Sequence, residues 1–154
     1  MPYYRTRDVV SMDYPVDSSG DPITRANGGF TKNDSEVIGR WVEKHETTGQ
    51  AYLVDENHLP IGVIVRLSET KVAVALGPFV QGKQGGTTAL VQNLGITGDT
   101  KQIRAGVTER GFVKNRNVSS VTADQAANSR GVVWDSAATT INTEGEPSTQ
   151  VLMY

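Results

Sequence analysis

The stretch GPFVQGKQGG, residues 77–86, has the spacing Gly-x-x-x-x-Gly-Lys of a phosphate-binding loop, and the apolar run KVAVAL precedes it as a strand would. In such a loop, backbone N–H groups at the start of a helix point at phosphate oxygens. The lysine reaches the outer phosphates, and the next Ser or Thr holds Mg²⁺. Here that next residue is Gln84, whose amide replaces a hydroxyl poorly, and Gly85 and Gly86 fall where the first helical turn needs good helix formers. Pro78 and Phe79 put a stiff and a bulky residue where the chain must wrap an anion. VVWD, residues 132–135, imitates a strand ending in a metal-binding Asp, but the intervening sequence reads as strand and turn instead of helix–strand alternation. The stretch is therefore expected to be the end of a hairpin at Gly77, with Phe79 and Val80 continuing an apolar edge and QGKQGGTT as an exposed loop.

Other groups capable of chemistry are scattered. His45 and His58 are the only histidines, and Glu46, Asp55 and Glu56 lie near them in sequence. A metal would need the two segments side by side with three or more converging ligands, whereas HETTG and DENHLP are turn sequences whose polar side chains meet solvent. No metal site is assigned. Acid–base work calls for paired carboxylates in an apolar setting, and no Asp or Glu sits inside an apolar run, Asp135 coming nearest. His58, Asp99 and a serine make a triad only on paper, because no nucleophile-elbow sequence marks the serine. Trp41 and Trp134 are flanked by Val42 and Val133, which favours packing over an exposed sugar-stacking platform. The residues point away from an enzyme and imply no cofactor.

The elements that must carry these residues are short. The 154-residue chain suffices for one domain with a sizeable core. Its formal charge of −2, with no block of like charges, gives no electrostatic reason to expect nucleic acid or an acidic membrane as partner. Without cysteine there are no disulfides or thiolate sites, and the N-terminal stretch lacks the apolar core of a signal peptide. A soluble protein made in the cytoplasm is expected.

Residues 1–35 hold Pro2, Pro15, Pro22 and the turn clusters DSSGDP and ANGG, and read as an extended arm anchored through Tyr3, Tyr4, Val9, Val10, Met12 and Tyr14 on its own body or a neighbour. From residue 36 to the end, short apolar runs separated by Gly, Asn, Asp and Pro predict an all-β domain, a small β-barrel or β-sandwich. The clearest hairpin is IGVIVRL–SET–KVAVALG. Alternation puts Val63, Val65 and Leu67 with Val72, Val74 and Leu76 on a core face, and leaves Gly62, Ile64, Arg66, Lys71, Ala73 and Ala75 on a small-residue face. That second face suits water or close approach by another layer, so Ile64, Ala73 and Ala75, with Tyr3, Tyr4 and Tyr14, are the interface candidates. One or two short helices are expected, VTADQAANSRG with Thr122 as N-cap and TTALVQNLG ending at Gly95. GITGDTKQIRAGVTERGFVK reads as short strands and turns, and STQVLMY as a last strand tucked into the body.

In texture, the span from Val37 to Tyr154 resembles the small capsid decoration, or cement, proteins of tailed bacteriophages. IGVIVRLSETKVAVALG, GITGDTKQIRAGVTERGFV and the ending SAATTINTEGEPSTQVLMY carry the resemblance, and the longer N-terminal arm departs from the most compact members. The resemblance implies a β-barrel or sandwich, often trimeric, on the outer surface of the virion capsid, where it ties neighbouring capsomers of the major capsid protein together. A carbohydrate-binding or host-attachment module is the alternative of a different class, and it requires Trp41, Trp134 or tyrosines exposed in a groove. A small hydrolase is a third.

Overall fold

Val, Ile and Ala alternate through 62–75 with a three-residue turn between them, and β-branched residues on a pleated backbone favour strands. The computed structural model describes residues 8–55, 58–77, 79–83, 93–97, 102–104, 107–111, 114–117, 131–140 and 147–153. Its regular structure is almost entirely strand: β1 (Val9–Met12), β2 (Trp41–Lys44), β3 (Ala51–Leu53), β4 (Gly62–Leu67), β5 (Val72–Ala75), β6 (Phe79–Lys83), β7 (Asn93–Thr97), β8 (Gln102–Arg104), β9 (Val107–Glu109), β10 (Lys114–Asn117), β11 (Gly131–Thr140) and β12 (Pro147–Met153). Two single 3₁₀ turns, Arg25–Asn27 and Ser35–Val37, are the helical elements among the described residues. No helix there is long and apolar enough to cross a membrane. The fold is all-β.

The main sheet has the order β1-β5-β4-β2-β3, and every pairing in it is antiparallel. It is not closed into a barrel. The N-terminal segment supplies one edge and lines the other: β1 pairs with β5 in the register Val9↔Ala75 to Met12↔Val72 and is itself an edge strand, and on the far side the N–H groups of Ala51 and Leu53 in β3 donate to Asp13 O at 3.0 Å and Gly28 O at 2.9 Å. Residues 8–34 are thus anchored on the chain's own body, and Asp13 and Gly28 pair backbone groups that β3 would otherwise leave open. Tyr52 Oη adds a 3.3 Å hydrogen bond to Val16 O.

Both faces of this sheet are packed. On one face Met12, Phe30, Val37, Val42, Leu53, Ile64, Val72 and Val74 form a buried cluster, with Val10, Tyr14 and Leu67 against it. On the other, Trp41, Val54, Val63 and Ala75 are buried, with Val9 and Val65 beside them. The hairpin's faces therefore differ from the alternation read in the sequence. Residues directly opposite share a face, and the register Val63↔Ala75, Ile64↔Val74 places Val63 with Ala75, and Ile64 with Val72 and Val74. A shift between Ile64 and Arg66 makes Val65 an extra residue, and this bulge returns Leu67 to the Ile64 face. Leu76, expected in the core, is exposed. The two strands are also close at Gly62, where an added Cβ would lie 2.2 Å from Ala75 O.

The C-terminal strands form smaller sheets, β11-β12-β6, β7 with β10 and β8 with β9. STQVLMY contributes the middle strand of the first, β12. The expected helix TTALVQNLG is overturned at its end, because Asn93–Thr97 is β7; the VTADQAANSRG candidate, apart from Gly131 in β11, falls outside the described residues.

Candidate functional site

The Gly-Lys motif can be judged from its backbone. Phe79–Lys83 is strand β6, paired with β12 from Phe79↔Leu152 to Lys83↔Ser148. In a phosphate loop the Gly-Lys pair sits where free N–H groups lead into a helix, whereas Gly82 and Lys83 are extended and paired with Thr149 and Ser148. The exposed-loop expectation for QGKQGGTT is corrected on the same ground for Gln81–Lys83.

The interface candidates are placed as follows. Tyr3 and Tyr4 lie outside the described residues. Tyr14 is half-buried on its own chain, with its ring edge-on to Phe30 at 5.8 Å and its hydroxyl donating to Ser68 O at 2.7 Å; burial holds that phenol above its usual value of 10.0. Ile64, Ala73 and Ala75 are 0 %, 5 % and 0 % exposed. The expectation that these three present an open face is corrected: close approach by another layer does occur, but within this chain. Trp41 is fully buried as well, which removes it as a sugar platform.

The structure instead brings together a polar cluster that the turns alone did not show. Glu43 comes from β2, and Asp55 and His58 from the turn after β3. Ligating atoms of the three lie within 4.8 Å of one another. His58 Nδ1 is 2.7 Å from Asp55 Oδ1 and 3.3 Å from Glu43 Oε2. Arg110 Nη1 approaches the other Asp55 oxygen, Oδ2, at 3.5 Å.

Local backbone structure explains the meeting. His58 N donates to Asp55 O at 3.3 Å, folding the turn over, and Ile61 N donates to Val42 O at 2.8 Å, laying the turn's far end along β2. Arg110 is delivered by Gly111, whose N–H donates to Val54 O while its carbonyl accepts from Trp41 N at 2.8 Å. Gly111 has φ +96°, a left-handed value that favours glycine, and an added Cβ would meet Arg40 Cβ at 2.9 Å.

Of the residues considered from sequence, His58 and Asp55 belong to this cluster and His45 does not. The His45 ring lies against Tyr52, with centroids 4.6 Å apart, and Nδ1 accepts from Thr47 N and Thr48 N in its own turn. Glu56 lies outside the described residues. Glu43 was missed because it reads as the polar position of WVEK. The signal for it was slight: Trp41, Val42 and Glu43 are consecutive and all buried, as befits a strand covered on both faces.

Burial pushes the Glu43 carboxyl above its usual 4.5, opposed by the charges of His58 and Arg110 and a hydrogen bond from the Asp55 backbone. The hydrogen bond to Asp55 raises His58 above 6.5, with Glu43 and Glu46 adding to it. A raised folded value means that the folded protein holds the proton more tightly, so the stabilisation is complete below the unfolded value and is lost as pH rises through the folded one. For both groups stability declines with rising pH, Glu43 from 4.5 upward and His58 from 6.5 upward. His58→Ala is expected to lower stability by no more than about 1 kcal/mol, as befits a half-exposed ion pair, with the deficit present below pH 6.5 and shrinking above the folded value. Urea unfolding of both proteins across that range checks this; a deficit that grows with pH contradicts it.

No protein-family model matches the chain, and neither a curated protein nor a solved structure is significantly similar to it.

Proposed function

We propose that this chain is a structural virion protein that binds the outside of a tailed-phage capsid and cements neighbouring capsomers, with the major capsid protein as partner and a homotrimer as its working form. The observation that supports this reading is the all-β architecture of the described residues, in which the N-terminal segment forms one edge strand of the main sheet and hydrogen-bonds along the other; it agrees with the resemblance in residues 37–154. A cement protein has to be a stiff body that attaches through side-chain surfaces. The hydrogen bonds from β3 to the N-terminal segment leave that edge less open to uncontrolled pairing between copies. Several weak contacts from one oligomer then act together, because after the first is made the others form at high effective concentration. The role involves no catalysis.

Light scattering of the purified protein tests the assembly part of this reading. A mass three times that of one chain, independent of concentration over the micromolar range, is expected; a monomer throughout that range contradicts the trimer.

A further inference from the structure

We propose that Glu43, Asp55 and His58 form a binding site for one divalent transition-metal cation, with Zn²⁺ as the representative ion. The inference is independent of the proposed virion role. One imidazole nitrogen and two carboxylate oxygens are a donor set suited to first-row divalent metals, the nitrogen disfavouring Mg²⁺ and Ca²⁺.

Geometry supports the site. With Zn–N and Zn–O bonds of about 2.0–2.2 Å, neighbouring ligand atoms of a tetrahedral ion stand roughly 3.3 Å apart. His58 Nδ1 and Glu43 Oε2 are already 3.3 Å apart. Asp55 Oδ1, 2.7 Å from the imidazole nitrogen, has to withdraw by about half an ångström. The ion takes the place of the proton on Nδ1, and a fourth position stays open to water or an external ligand.

The independent observation is the state of Glu43. It is 7 % exposed, and its Oε2 has no hydrogen-bond partner among the described residues. A buried carboxylate oxygen without a donor is costly, and this one is aimed at His58 Nδ1. The backbone hydrogen bond from Asp55 holds the rest of the carboxylate, so Oε2 is oriented before any ion arrives. Arg110 acts as a positioning residue, since its contact with Asp55 Oδ2 leaves Oδ1 turned toward the ion. His58 is half-exposed and opens the site to solvent, which gives a cation a way in.

Calorimetric titration of ZnCl₂ into the full chain, first stripped with chelator, tests the site, with Co²⁺ visible absorption reporting the coordination geometry. One equivalent should bind with micromolar or tighter affinity. His58→Ala and Glu43→Gln should each weaken binding by about tenfold or more; His58→Ala changes a half-exposed side chain and Glu43→Gln keeps the shape, and circular dichroism confirms that both are folded. His45→Ala should bind as the parent does. Absence of saturable binding by the folded parent overturns the proposal, as does binding that survives either ligand substitution or depends on His45.

Discussion

Val74→Asp is expected to unfold the protein. Val74 is 0 % exposed and sits in β5 opposite Ile64, in the cluster that also holds Met12, Phe30, Val72 and Leu53. The cluster around Val74 is apolar, so the new carboxylate must either stay charged in that setting or take up a proton, and either costs several kcal/mol. The whole stability of a domain is about 5–15 kcal/mol. Ala75→Glu should fail in the same way, because Ala75 is equally buried on the opposite face with Trp41, Val54 and Val63. Circular dichroism with a denaturant titration measures both. A folded Ala75→Glu protein with near-parental stability would show that this face opens to solvent or to a neighbour, as the sequence suggested.

Deleting residues 1–35 should likewise abolish cooperative folding. The deletion removes β1 and its pairing with β5, the hydrogen bonds that cap β3 at Ala51 and Leu53, and the Met12, Tyr14 and Phe30 side chains. Met12 and Phe30 alone contribute about 1.5–3 kcal/mol each by burial, and their loss exposes Ile64, Val72 and Val74 to water. Met12→Ala in the full chain isolates part of this effect and should lower stability by about 2–5 kcal/mol. Thermal melting decides the matter. A truncated chain that melts sharply at the parental temperature would make the segment an external arm.

Much of the fold was legible because strand signals are local. The 62–75 hairpin, the short strands within 102–109 and the closing strand at 147–153 follow from apolar runs and glycine punctuation. Facing was not legible, since alternation fixes which residues share a side only while register is unbroken. The bulge at Val65 and the Val63↔Ala75 pairing reversed it. Small residues at 73 and 75 looked like a surface because they are small; both are buried, and Ala75 packs in the second cluster with Trp41. The N-terminal segment was partly legible: Val9, Val10, Met12 and Tyr14 read as anchors and pack on the chain's own sheet, whereas the backbone hydrogen bonds to β3 leave no trace in side-chain composition. TTALVQNLG shows propensity losing to context, as Asn93–Thr97 pairs with β10 instead of closing a helix. The polar cluster was half legible, since Asp55 and His58 share a turn but Glu43 meets them only through the β2–β3 pairing.

The proposed attachment to a capsid is tested most directly by mixing the purified protein with expanded, empty tailed-phage heads stripped of their decoration protein, and sedimenting the mixture through a sucrose gradient. Saturable co-sedimentation at a fixed ratio to the major capsid protein is predicted, together with heads that survive to a higher temperature than bare ones. Protein that remains at the top of the gradient at every concentration, leaving head stability unchanged, would contradict it.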